Sequence, residues 1–210
     1  GPFLHVSFQS TTLPASSYPI LCSPLGRYEP FPPGWHRLEK GGSAVGGVLD
    51  YLAWRGDLTL DRVPFCPVDA LVLSALSYVH FGSLIPGEPE PAVPLGETAR
   101  RYLALPPGQR GRCRCDSDLD LLRALSASPR FASLGLSCYV SRFVPEEETQ
   151  FAALAVRLGT GPAFLAFRGT DATLVGWKED FNMSFMDLVP AQLAAAAYIR
   201  DFAGSFPGPL

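Results

Sequence analysis

The sequence carries little charge and no long hydrophobic run. Only 18% of its 210 residues are Asp, Glu, Lys or Arg, and the formal net charge is −3. No stripe of Lys and Arg stands out, so the electrostatic basis for nucleic-acid binding is missing. No apolar run approaches the roughly 20 residues of a membrane-spanning helix, and no signal peptide opens the chain. We therefore predict a cytoplasmic protein with no nucleic-acid partner and no membrane span, and the sequence leaves its oligomeric state open.

Metal-ligating residues are also scarce. The chain has five Cys and three His, and the Cys residues are scattered. Cys113 and Cys115 form the only close pair, and neither a second pair nor a His lies near them in the sequence, as a zinc site would need. We expect reduced thiols, no bound metal and no cofactor.

The composition is otherwise that of a globular chain, with 47% hydrophobic residues in a length that suits one domain. Residues 1–42 differ from the rest, since they are rich in Pro and Ser, show no periodicity and contain no initiating Met. We predict an irregular or disordered lead over 1–42, one that is not necessarily native, and a domain over 43–210.

Helical periodicity is strongest between Val68 and Val79, where apolar residues recur at the spacing of one helix face. This spacing predicts a core-facing helix over Pro67–Val79, with Pro67 in its first turn. We interpret His80, directly after it, as a C-terminal cap in preference to a catalytic base. Further helices are predicted over 47–55, 97–103, 119–126, 173–182 and 190–205, a brief extended piece over 58–60, and a Pro-rich connector over 82–96.

The period changes to two in the second half of the chain. Leu136–Val144, Phe151–Leu158 and Ala163–Phe167 read as three strands joined by short turns, which is typical of an antiparallel meander. With the helices around it, this sheet predicts an α/β fold in which helices pack on a small sheet.

The third strand ends in a polar turn. Ala163–Phe167 stops at Arg168, Gly169, Thr170 and Asp171, and a helical pattern follows. A turn from strand to helix presents backbone N–H groups at a helix N-terminus, where negative charge is stabilised. Such a loop supplies one oxyanion-hole donor in α/β-type hydrolases. An ordinary Gly-Thr-Asp turn that caps a helix is an equally good interpretation of the residues alone.

The stretch FRGTDATLVGWKEDFNMSF (167–185), together with residues 46–81 and PAQLAAAAYI (190–199), resembles an uncharacterised bacterial lipase-like family of the α/β-hydrolase superfamily, similar to class 3 lipases. The resemblance implies a partial α/β-hydrolase-like fold and a serine hydrolase that acts on carboxylic esters, with a small-molecule ester or lipid as substrate. It also implies that Thr170 is an oxyanion-hole donor and that Gly169 and Asp171 support its loop.

A complete hydrolase site is not visible in the sequence. No serine lies in a G-x-S-x-G elbow; Ser43 and Ser137 come nearest, and each lacks the second glycine. All three histidines precede the predicted strands, whereas the triad order in this superfamily places His last. We therefore interpret the chain as an N-terminal portion truncated before the nucleophile elbow, and we expect no hydrolysis from it. The alternative is a non-catalytic α/β module that binds a lipid or a protein.

Overall fold

Helices lie on both faces of a four-stranded antiparallel sheet. The structure, a computed structural model, describes residues 47–111, 117–144, 149–168 and 189–206. Within these ranges the helices are α1 (Val48–Arg55), α2 (Pro67–Leu76), α3 (Leu95–Ala104), α4 (Ser117–Ala127) and α5 (Pro190–Ser205), with 3-10 turns at Gly82–Leu84 and Pro107–Gln109. The strands are β1 (Val93–Pro94), β2 (Gly135–Val144), β3 (Thr149–Arg157) and β4 (Ala163–Phe167), paired in the order β1-β2-β3-β4. The predicted α/β class is confirmed.

Side chains of β3 point alternately to the two faces of the sheet and so belong to two different apolar layers. Leu154 and Val156 point into the main core, which the first four helices cover. Ala153 and Ala155 point to the opposite face, where α5 packs. Successive side chains of a strand face opposite sides of a sheet, so the apolar middle of β3, from Phe151 to Val156, is buried on both faces.

The predicted meander is confirmed in detail. β2 pairs with β3 from Gly135↔Arg157 to Val144↔Thr149, and β3 pairs with β4 from Arg157↔Ala163 to Ala153↔Phe167. The predicted helix over 190–205 has the same bounds in the structure. Those over 47–55, 97–103 and 119–126 appear with ends shifted by no more than two residues. The one predicted over 173–182 lies outside the described residues, as does the predicted lead over 1–42.

Three predictions about the first half of the chain are wrong. The extended piece over 58–60 is a pair of turns, closed by hydrogen bonds from Leu58 N–H to Arg55 C=O and from Arg62 N–H to Thr59 C=O. The connector over 82–96 contains β1, which pairs with β2 through Val93↔Leu136. The third error concerns the end of α2.

Helix α2 ends at Leu76, before the end of its apolar pattern. Ser77 is its C-cap. The residues after it form hydrogen bonds that span three residues in place of the four of an α-helix, such as Val79 N–H to Leu76 C=O. Val79 is nevertheless fully buried, so tertiary packing continues the apolar stripe beyond the helix. His80 therefore lies four residues past the helix end and cannot cap it, because capping interactions act within the last turn.

A buried ion pair joins α2 to the loop that follows α4. Arg130 and Asp69 side chains are both completely buried, with Nη2 to Oδ2 at 2.5 Å and Nε to Oδ1 at 2.8 Å. The remaining guanidinium donors bond the carbonyl groups of Leu58, Val63 and Pro64, so all five N–H donors of Arg130 have acceptors. The loop between α1 and α2 is therefore held by one side chain.

The Asp69 carboxylate is equally well satisfied. Besides Arg130, it accepts hydrogen bonds from the Tyr51 hydroxyl at 2.8 Å and the Cys66 N–H at 2.9 Å. Burial by itself would raise the pKa of Asp69, but the hydrogen bonds from Arg130, Cys66 and Tyr51 together hold that pKa below its ordinary value. The carboxylate is therefore ionised in the folded protein.

We predict that Asp69→Asn destabilises the protein strongly, by about 3–5 kcal/mol, because it leaves the Arg130 charge buried without its counter-ion. The midpoint and slope of urea unfolding measure this loss. Asp120→Asn is the matched control, since Asp120 pairs with Arg123 on the surface, with both side chains more than half exposed. The control should change stability by no more than about 1 kcal/mol. An equal effect of the two variants would contradict the bracing role of Asp69.

We also predict a specific acid dependence of stability. The pKa of Asp69 in the folded chain lies below its ordinary value of 3.8, so its contribution to stability is complete only well above that pH. The contribution is lost as the pH falls through the unfolded and then the folded pKa. Free energies of unfolding measured from pH 6 to pH 3 should fall more steeply in the wild type than in Asp69→Asn. Parallel curves would rule out this linkage.

Candidate functional site

A β-bulge in β2 shapes the face of the sheet that α5 covers. Ser137 pairs with Ala155 and Val140 pairs with Ala153, so two residues of β2 stand opposite one of β3. Cys138 takes the left-handed conformation, with φ of 53°. That conformation costs a residue with a Cβ about 1–2 kcal/mol, so surrounding contacts must hold it.

Three hydrogen bonds, two from the Pro-rich connector and one from α5, hold the bulge. Cys138 N–H donates to Glu88 C=O at 3.3 Å, and Tyr139 N–H donates to Pro86 C=O at 3.0 Å. On the other side, the Tyr198 hydroxyl of α5 donates to Cys138 C=O at 2.9 Å. The Pro-rich connector and α5 therefore both contact β2 at the bulge.

Between α5 and this point lies a cleft of about 250 Å³. Its apolar wall combines small and aromatic side chains: Cys138, Val140, Phe151, Ala194, Ala197, Tyr198 and Phe202. Its polar rim carries Glu88, Arg142, Asp201 and Ser205. At roughly 30 Å³ per water molecule, the space corresponds to about eight waters. We call this space the α5 cleft.

Aromatic packing fixes the side of the cleft that α5 contributes. The Tyr198 ring lies edge-on to Phe167 at 5.6 Å and to Phe151 at 6.3 Å. Phe202 is buried and stacks on Phe206 at 5.0 Å. Such pairs add about 0.5–1.5 kcal/mol each beyond the area they bury, so the wall is preformed.

The two ionisable groups of the wall are held neutral. Burial raises the pKa of the Cys138 thiol, and the nearby Glu88 charge adds to that rise, whereas the Ser137 hydroxyl and the Arg157 charge oppose it. Burial also raises the pKa of the Tyr198 hydroxyl. A thiol in this state is a poor nucleophile, so the wall favours binding contacts over covalent chemistry.

The structure describes little of the predicted oxyanion-hole loop. Thr170, Gly169 and Asp171 lie outside the described residues, and their roles stay predictions. Arg168, directly before them, is buried; its N–H donates to Ala152 C=O at 2.8 Å, and its guanidinium Nη1 lies 3.2 Å from His80 Nε2. The structure thus brings His80 to the end of β4, although sequence reasoning placed it at a helix end.

The other candidates from the sequence are placed as follows. Ser137 is fully buried inside β2, in agreement with its interpretation as structural. Ser43, Cys113 and Cys115 lie outside the described residues. Among the residues that the structure describes, no group of three or more His, Cys, Asp or Glu side chains could hold a metal ion. None of the helices in the described ranges combines the length and apolar composition needed to cross a bilayer.

Sequence reasoning missed the α5 cleft, although one signal was present. Leu136 and Tyr139 both face the main core, and their odd spacing breaks the period of two within a strand. An odd step between core-facing residues indicates an inserted residue, which is a bulge. The partners of that bulge, in the Pro-rich connector and α5, are distant in sequence.

By its fold, the described part of the chain is a mixed α/β protein. Residues 125–210, less than half of the chain, match the model of a family described as Mbeg1-like. These residues include the end of α4, strands β2 to β4 and α5. No curated protein and no solved structure matches the chain.

This match corrects the resemblance inferred from the sequence. The matching family is not described as a lipase or α/β-hydrolase family, and no other comparison supports such an assignment. The predicted lipase-like family is therefore wrong. Short motifs such as a strand followed by Gly-Thr-Asp arise in many α/β proteins, because any strand-to-helix turn favours these residues.

We predict that Tyr198→Phe destabilises the protein by about 1–3 kcal/mol, because the Cys138 carbonyl loses its donor at a buried bulge. Tyr139→Phe is the matched control on the opposite face, since its hydroxyl makes a longer contact, 3.4 Å to Val79 C=O. Urea unfolding of both variants measures the difference. A larger loss in Tyr139→Phe would contradict this account of the bulge.

Proposed function

We propose that the chain is a binding module for a small amphipathic molecule, and that the α5 cleft is its binding site. The observation that carries the proposal is the cleft itself: a preformed space of about 250 Å³ with an apolar aromatic wall and a charged rim. Small-molecule sites in proteins combine predominantly apolar walls with a few polar groups that orient the ligand.

Three features of the cleft support this function. Ala194 and Ala197 of α5 keep the helix side chains short where they face the sheet, which preserves the open space. The bulge at Cys138 is held by hydrogen bonds, so the sheet side does not collapse into that space. The neutral thiol and phenol add polarizable surface without charge.

Ester hydrolysis has less support from the described residues. It depends on the loop at Thr170, outside the described ranges, and on a nucleophile elbow that the sequence does not contain. No hydrolysis is therefore expected from this chain, and binding, the alternative left open by the sequence, is the function that the geometry favours.

We predict that Ala197→Leu abolishes binding of the neutral fluorescent probe N-phenyl-1-naphthylamine, because the larger side chain fills the cleft. Ala203→Leu is the matched control: the same substitution on the same helix, at an exposed position that does not line the cleft. Fluorescence titration, with octan-1-ol as competitor, measures both variants and the wild type. Equal probe binding by the two variants, or no binding by the wild type, would overturn the proposal.

A further inference from the structure

Part of the outer edge of β2 has no neighbouring strand among the described residues. Strand β1 pairs with this edge at Leu136, and the Pro-rich connector bonds the N–H groups of Cys138 and Tyr139. Beyond them, residues 141–143 have no backbone hydrogen-bond partner in the described part of the chain outside β3. These residues are exposed. The edge is therefore covered as far as Tyr139 and open after it, and we call residues 141–143 the open edge.

The backbone groups of Ser141 and Phe143 point away from β3, out of the sheet. Arg168 N–H donates to Ala152 C=O at 2.8 Å, so the backbone of Ala152 faces β4 and not β2. Ser141 lies opposite Ala152 and therefore belongs to a pair without hydrogen bonds, in which its N–H and C=O turn outward. Phe143, two residues later in the same strand, has the same orientation. The N–H and C=O groups of both residues are open to an added strand.

The side chains of the open edge lie in two different surroundings. Ser141 lines a cleft of about 650 Å³ on the side of the main core, where the wall includes Phe81 and Tyr139. Phe143 lies on that side by alternation and is 53% exposed. Arg142 points to the opposite face and lines the rim of the α5 cleft. An added strand would therefore meet apolar surface on one face of the sheet and a cation on the other.

The Arg142 guanidinium is available to such a strand, since it forms no ion pair with any described residue. Its position between two outward-facing residues is that of a pair without hydrogen bonds, in which facing Cα atoms are only about 4.5 Å apart. Opposite charges at facing positions of an antiparallel pair attract, and like charges repel. The open edge therefore favours a strand with an acidic residue opposite Arg142.

The same geometry disfavours a second copy of this chain as the partner. Symmetric pairing must set outward-facing residues opposite each other, so it can be centred on Ser141, Arg142 or Phe143. The first register needs the Tyr139 N–H, which already donates to the connector. The second sets the two Arg142 side chains against each other. The third sets Ser141 opposite Pro145, which has no N–H.

We propose that the open edge binds an extended peptide segment of a partner protein, with an acidic residue opposite Arg142 and an apolar residue on either side of it. The segment adds an antiparallel strand to the sheet, and its backbone bonds Ser141 and Phe143. Its apolar side chains contact the exposed Phe143 ring and the cleft beside Phe81. In this mode of recognition, main-chain hydrogen bonds give affinity and alternate side chains give specificity.

Fluorescence polarisation of labelled peptides with the full chain tests the strand pairing. The probe is the peptide TTVEVTT, in which the valines face Ser141 and Phe143 and the glutamate faces Arg142. N-methylation of one valine removes an N–H that donates to β2, and this should weaken binding about fivefold. N-methylation of the glutamate is the matched control, because its N–H points away from β2. Equal affinities of the two methylated peptides would overturn the addition of a strand.

A charge swap tests the residue that the glutamate faces. The peptide TTVKVTT should bind the wild type about fivefold more weakly than TTVEVTT, and Arg142→Glu should reverse this order. Arg100→Glu is the control, since it makes the same change of net charge at an exposed position on α3. Reversal in both variants, or in neither, would overturn the assignment of Arg142.

Sedimentation of the free chain tests the other occupant of the open edge. Phe143→Pro removes an N–H that faces outward and leaves the bonds to β3 in place, as prolines on sheet edges do. A wild-type dimer that Phe143→Pro dissolves would assign the edge to a second copy and overturn the inference. Failure of TTVEVTT to bind would overturn it as well. Neither result bears on the α5 cleft, which the neutral probe reports separately.

Discussion

The buried pair of Asp69 and Arg130 is the interaction on which the helical layer depends. Two charges are removed completely from water, and this is tolerable only because every polar atom of the pair has a partner. Those partners come from α1, from the loop between α1 and α2, and from α2 itself. One ion pair thereby connects segments about 60 residues apart and orients the helices that cover the main core.

In the described part of the chain, the face of the sheet that α5 covers is stabilised by aromatic packing and backbone hydrogen bonds, not by a buried ion pair. There α5 packs on small and aromatic side chains, and the bulge at Cys138 prevents continuous contact between helix and strand. The strained residue is stabilised from two sides, by the connector and by Tyr198. A backbone held in a sparsely populated conformation next to a cleft is often found where a protein binds a ligand. The cleft therefore depends on the same bulge that interrupts the strand.

Much of the fold was predictable because its determinants are local. Strand β4 and helix α5 have the bounds expected from periodicity, since alternation and helical spacing are properties of adjacent residues. Strand β1 was missed because it has only two residues, in a Pro-rich segment, and two residues are too few to show the alternation of polar and apolar side chains typical of a strand. The early end of α2 was missed because Val79 is buried by tertiary contacts after the helix has ended. The candidate site could not be predicted, because its wall comes from three distant segments.

The sequence alone determined the alternation of helices and strands, the antiparallel meander and the apolar face of α5, because each depends on a repeat within a short window. The tertiary structure decided which polar residues matter. Nothing in the neighbourhood of Asp69 indicates Arg130, and nothing near Tyr198 indicates the Cys138 carbonyl 60 residues earlier. A buried charge or an interrupted strand acquires its partner only when the chain folds. The family match over residues 125–210 contradicted the lipase-like family that the motif at the end of β4 had suggested.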